Sequence, residues 1–159
     1  MDDATRDALD ELAIRSLHHA YADVVTRRAW PELEPLFLPD APIVVDVRTA
    51  APRHFTGASE LGAFISTAVE RFDFFELAVL SARVFLREDG DADRATGRMY
   101  MQEIRHDGSS GRWSNAFGLY QDEYARTGTG WRFAARHYAS LARTAPDLEV
   151  FEFPPDLLS

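Results

Sequence analysis

Four side chains have the type and setting that proton transfer needs: Tyr21, Asp46, Glu76 and His137. Tyr21 falls on the apolar stripe of a predicted helix. There its hydroxyl either polarises a ligand carbonyl or serves a core tyrosine that has found a partner. Asp46 interrupts the β-branched run Ile43-Val-Val-Asp-Val. Facing inward, it would be desolvated, its pKa would rise, and it would become a usable general base. Facing outward, it would pair with Arg48 or Arg53. Glu76 lies among Phe74, Phe75 and Leu77, where the same desolvation argument makes it a proton-transfer group. The alternative is a solvated strand end. His137 closes the last strand and is the histidine best placed for base work near neutral pH; otherwise it forms a rim pair with Arg136 against the tail.

Around these four stand candidate ligand contacts. Tyr120 can hydrogen-bond a ligand oxygen, and Arg136 can hold an anionic group or pair with Asp46 or Glu76. Trp113, Asn115 and Phe75 can line a pocket, with plain packing the alternative for Trp113. Asp122 is expected near a strand end, solvated or paired with Arg126. His18 and His19 are helix neighbours, so at most one faces inward, and His106 is expected beside a solvated turn. No pair of these side chains has metal-ligand spacing with carboxylate support, so no metal is expected.

The elements that must position these groups follow from periodicity. Residues 4–28 carry Leu9, Leu12, Ala13, Leu17, Ala20, Tyr21, Val24 and Val25 at three- and four-residue steps, which predicts one amphipathic helix capped by Asp2 or Asp3. Pro31 fits the first turn of a short second helix. Residues 43–48 read as a strand, residues 50–57 as a loop or irregular strand, and Ser59 opens a third helix. Strands follow at Phe74–Arg87 and Arg94–His106, separated by the turn beginning at Glu88. A last pair spans Arg112–Tyr138 around a turn holding Gly128 and Gly130. In that pair Trp113, Phe117 and Leu119 share one parity, and Gly118, Tyr120, Asp122 and Tyr124 the other. Trp131, Phe133, Ala135 and His137 share a parity in the final strand. Alternate side chains point to opposite faces, so one face carries a mixed aromatic and polar set suited to a pocket wall. Helices segregated from a four-strand meander mean α+β.

The 159 residues suit a single domain, with a core over about 4–138 and a proline-containing apolar tail over 139–159 that packs on the core or on a neighbouring subunit. A formal charge of −9 argues against a nucleic-acid surface and against an anionic membrane. The absence of cysteine removes thiolate nucleophiles, disulfides and thiolate metal sites. Without a signal-peptide core or an apolar span, a cytoplasmic protein is expected. The open sheet face and the apolar tail suggest a homo-oligomer, a dimer.

Three strings are similar to those of the SnoaL-like, scytalone-dehydratase-like families of the nuclear-transport-factor-2-like superfamily. They are Tyr21-Ala-Asp with Arg28-Ala-Trp-Pro-Glu-Leu-Glu-Pro-Leu-Phe, Phe55-Thr-Gly with Ser59, and Gly118-Leu-Tyr-Gln-Asp-Glu-Tyr with Gly130-Trp-Arg-Phe-Ala-Ala-Arg. The resemblance implies a cone: a curved antiparallel sheet wrapped around helices, enclosing a pocket, with no metal or organic cofactor. It implies dehydratase, isomerase or cyclase chemistry by proton transfer on an apolar, oxygenated ring compound, polyketide- or steroid-like. The resemblance is incomplete. The acid those families carry at the end of the first helix is absent from Val24-Val-Thr-Arg-Arg-Ala-Trp. Their early sheet histidine is replaced by Phe74-Phe-Glu-Leu. Without that Asp–His dyad, two further readings stand beside the enzyme: a ligand-binding or scaffold protein, and an accessory subunit of a larger enzyme.

Overall fold

The computed structural model describes residues 2–87 and 90–157, so Glu88 and Asp89 of the expected turn lie outside the described residues. Helix α1 spans Asp3–Arg27. The Asp2 carboxylate caps it by accepting from the Thr5 N–H at 2.7 Å, which satisfies one of the four free donors at a helix start. The helix stops where Arg28 turns left-handed, at φ 58°, and its N–H returns to the last turn. A short 3-10 helix (Trp30–Leu36) follows, with Pro31 in its first turn. Strands β1 (Pro42–Asp46) and β2 (Arg53–Thr56) form an antiparallel pair, so the stretch expected as loop or irregular strand is a paired edge strand. Helix α2 (Gly57–Val69) begins two residues before Ser59.

The meander is β3 (Phe72–Leu86), β4 (Arg94–Asp107), β5 (Arg112–Thr127) and β6 (Gly130–Arg143), with a two-residue β7 (Glu149–Val150). The sheet runs β2-β1-β6-β5-β4-β3, with β7 added on β6. β1 pairs parallel to β6, and the other pairs are antiparallel. This is the expected α+β cone. Bulges interrupt β3 against β4 and β5 against β6. Each bends its strand and sharpens the twist, and the sheet curls around α1.

Two sequence expectations shift. The buried face of α1 runs through Asp10, Ile14, Leu17, His18, Tyr21, Val24 and Val25, while Leu9 and Leu12 stay exposed. Two polar residues displace the apolar stripe because each has a partner on the sheet. Asp10 accepts from Arg126 Nη1 at 2.8 Å and from the Trp131 indole at 3.1 Å. His18 meets the Tyr124 hydroxyl at 2.6 Å. The second shift is in β6. Phe133 pairs with Tyr124, but Ala135 pairs with Glu123 and Arg136 with Asp122. That bulge inserts one residue and inverts the parity beyond it. Arg136, Tyr138 and Ser140 therefore face the concave side, and His137 faces out.

The strand also outlasts its expected end at Tyr138, and the tail begins at Thr144. Part of the tail lies against the outer face of the sheet. Phe151 N–H donates to the Leu141 carbonyl at 2.9 Å, and the Phe153 ring lies 6.4 Å from that of Tyr100.

Gly118 admits the Tyr138 ring into the sheet. A Cβ there would overlap the ring, Cε2 first. Gly118→Ala should therefore destabilise the fold by about 1–3 kcal/mol, read as a lowered denaturation midpoint at unchanged slope. An unshifted midpoint would show that the ring has room to move.

Candidate functional site

A cavity of about 260 Å³ lies between the helices and the concave sheet face. Its body is apolar, with Val25 from α1, Ile43 and Val45 from β1, Leu61 and Ile65 from α2, and Phe75 from β3. Polar groups enter from α1 and the inner rows of β4 to β6: Tyr21, Glu103, Tyr120, Arg136, Tyr138 and Ser140. An apolar pocket with a few convergent polar groups is the usual form of a small-molecule site.

Arg136 and Asp122 form the centre of this wall. Both side chains are fully buried. The guanidinium donates from Nε at 2.7 Å and from Nη2 at 2.9 Å to the two carboxylate oxygens, a fork that fixes both groups. The rings of Tyr120, Phe133 and Tyr21 stand 3.9, 4.1 and 4.2 Å from its central carbon, close enough for cation–π attraction. Burial pulls the Arg136 pKa down, and the Asp122 charge more than reverses this. One nitrogen of Arg136, Nη1, is buried and has no hydrogen-bond partner.

Behind the pair runs a chain of hydrogen bonds. The Tyr124 hydroxyl donates to Asp122 at 3.1 Å. Its proton is thereby used, so His18 must donate from Nε2 to the Tyr124 oxygen. His18 is therefore the Nε2–H tautomer, with Nδ1 an unpaired acceptor. Burial lowers its pKa from 6.5 to about 4, and it is neutral at pH 7.

In front of the pair, the Tyr21 and Tyr120 hydroxyls are 3.3 Å apart. Burial raises both phenol pKa values, so both groups are protonated at neutral pH; one O–H donates to the other hydroxyl, and the second is left for a ligand. The Tyr138 ring lies tilted 5.1 Å from that of Tyr120, and its hydroxyl accepts from Ser140 Oγ at 3.3 Å. Burial, with some help from the Glu103 charge, raises its pKa too. Glu103 is the one carboxylate lining the cavity among the described residues, and Arg105 Nε donates to it at 2.9 Å. No described group of three or more His, Asp or Glu side chains is gathered to hold a metal.

The structure gathers Tyr21, Tyr120, Arg136 and Phe75 at the cavity, and it places the other sequence candidates elsewhere. Asp46 and His137 meet on the opposite face of the sheet, in a depression shared with tail residues Pro154 and Asp156. Asp46 accepts from the Arg48 N–H at 2.8 Å, and the bulge before Arg136 turns His137 outward. Glu76 is exposed, because β3 buries Phe75 and Leu77 on either side of it. Trp113 and Asn115 share the outer parity of β5; Trp113 is exposed, and Asn115 accepts from Gln102 at 2.9 Å. Arg136 pairs with Asp122 rather than Asp46 or Glu76, so Asp122 is neither solvated nor bound to Arg126. Arg126 bridges Asp10 and Asp93 instead.

Sequence reasoning missed Glu103, Tyr138 and the His18–Tyr124 pair as site components. Glu103 shares its parity with the buried Met99 and Met101, a signal that was available.

Residues 6–137 match the family model of the SnoaL-like domain. The chain belongs to the SnoaL-like family. Solved structures of this shape include a scytalone-dehydratase-like protein of Novosphingobium aromaticivorans, with TM-score 0.78, 14% identity, and 98% of this chain and 99% of that one covered. The hexachlorocyclohexane dehydrochlorinase LinA-type3 of Novosphingobium barchaimii LL02 gives 0.73 at 20% identity, over 96% and 100%. Kfla4162 of Kribbella flavida gives 0.73 at 20%, over 87% and 95%. At these identities the likeness is one of fold. No curated protein matches the sequence. Among the described residues that line the cavity of this SnoaL-like domain there is no histidine.

Two outcomes test the buried network. Asp122→Ala leaves Arg136 charged and unpaired and should cost about 3–5 kcal/mol, while the double replacement Asp122→Leu/Arg136→Met should recover most of that loss. Chemical denaturation of the three proteins decides it.

The second outcome concerns pH. Unfolded His18 takes up a proton below about pH 6.5, whereas the folded residue resists until about pH 4. The unfolded state binds more protons between these values, so stability should fall as pH drops through that window, by on the order of 3 kcal/mol, and level off below it. Denaturation from pH 7 to 4 should show a shallower fall in His18→Gln than in the parent.

Proposed function

We propose that the cavity binds a small, apolar, oxygenated ring molecule and that the protein transfers a proton on it, as a lyase or isomerase. The observation that carries this is the convergence of the two protonated tyrosines, 3.3 Å apart, on a wall backed by Arg136. A carbonyl oxygen seated there accepts from Tyr21 or Tyr120 and, through the free Nη1, from Arg136. These donors strengthen as negative charge develops on the oxygen, which is the condition for lowering a barrier rather than only binding. Glu103 accepts the proton removed from the neighbouring carbon. The cavity is smaller than the roughly 300–1,000 Å³ of drug-sized sites, which suits a one- or two-ring polyketide-like compound better than a four-ring steroid nucleus.

A second reading is ligand binding without turnover. It is favoured by the pairing of the cavity's carboxylate with Arg105, which occupies an oxygen that would have to accept the proton.

Exchange of α-protons of bicyclic ketones in D₂O, followed by proton NMR, separates the two. On the enzyme reading the protein accelerates exchange, and Tyr120→Phe or Glu103→Gln slows it by about a hundredfold. Saturable binding by calorimetry with no exchange above buffer would favour the binding protein.

A further inference from the structure

One end of the cavity is more positive than the rest of this acidic chain. Arg71, Arg105 and Arg143 contribute to its wall. They stand just before β3, near the end of β4 and at the end of β6, and the register brings the strand ends together: Phe72 faces Asp107, Glu103 faces Ala116, and Ala116 faces Arg143. The Arg71 and Arg105 guanidiniums lie against the same ring, 4.8 and 5.5 Å from the centroid of Phe72.

Two of these charges are compensated. Glu103 binds Arg105, and Glu149 of the tail binds Arg143. Arg71 makes no ion pair among the described residues. Asp107 is near enough to feel its charge, but its carboxylate is held by Ser109 and Ser110. Arg136, deeper in the cavity, is neutralised by Asp122. This end of the cavity thus keeps one uncompensated positive charge, in a chain whose formal charge is −9. Gathering like charges costs energy unless an anion joins them. A guanidinium is built to fork a carboxylate.

We propose that the ligand is a ring acid with two poles. Its neutral oxygen sits at Tyr21, Tyr120 and Arg136 Nη1. Its carboxylate sits at the other end, on Arg71 with Arg105 and Arg143 beside it. This rests on the reading of the cavity as a small-molecule site and adds the charge and orientation of what it takes.

The test uses 6-hydroxy-2-naphthoate and its primary amide, which differ in charge and little in shape. By calorimetry at low salt the acid should bind about five- to tenfold more tightly, and added sodium chloride should shrink the difference. Arg71→Gln should abolish most of the preference, and Arg71→Glu should reverse it. Arg71 is exposed, so neither variant removes a core contact. Equal affinity of acid and amide, or a preference unchanged in Arg71→Glu, would overturn the carboxylate assignment while leaving the cavity as a binding site. Failure of both compounds to bind would overturn that reading as well.

Discussion

Removing an arginine and an aspartate from water costs several kcal/mol per ion, and the concave wall of this SnoaL-like domain is organised around meeting that cost. The Arg136–Asp122 fork supplies two charge-assisted hydrogen bonds. Three aromatic rings pack within about 4 Å of the guanidinium. Helix α1 contributes Tyr21 as one of those rings and His18 as the far end of the Tyr124 chain. β5 contributes Asp122, Tyr120 and Tyr124, and β6 contributes Phe133 and Arg136. Helix α1, β5 and β6 therefore line the cavity and also hold the ion pair. The pair joins the two central strands of the sheet to its first helix.

The same arrangement sets the chemistry of the cavity. Asp122 occupies two donors of Arg136 and leaves Nη1 without a partner. Burial keeps Tyr21 and Tyr120 protonated. The deep end thus offers hydrogen-bond donors, a composition that favours an oxygen acceptor gaining charge. Glu103 connects this end to the three arginines, since it pairs with Arg105 while its charge reaches the Tyr138 hydroxyl; Glu149 offsets Arg143, and Arg71 makes no ion pair among the described residues. Between the poles the walls are aliphatic and aromatic. A ligand that fills the apolar middle would displace water from it and lengthen the reach of both electrostatic ends.

Much of the fold was legible in the sequence, since long periodic segments carry strong signals. The helix through Tyr21, the four-strand meander and the mixed face holding Tyr120 all follow from spacing. The site was less legible, and the reason is local. A strand pattern fixes side-chain faces only while the register is unbroken, and the bulge before Arg136 exchanged the faces of Arg136 and His137. Nothing in Phe133-Ala-Ala-Arg-His marks the inserted residue. Asp46 failed for another reason: parity separates two faces but does not say which one is concave. Asp10 and His18 were hidden because a helical stripe is sought among apolar residues, and these two are buried by partners that only the tertiary structure supplies.

The most direct test is a crystal structure of the protein soaked with 6-hydroxy-2-naphthoate. The hydroxyl should lie at hydrogen-bond distance, about 3 Å, from Tyr21, Tyr120 or Arg136 Nη1, with the rings against Phe75 and the aliphatic wall. A ligand bound in the outer depression beside Asp46 and His137, or one seated in the cavity with no oxygen near the tyrosines, would contradict the assignment of this wall as the functional centre.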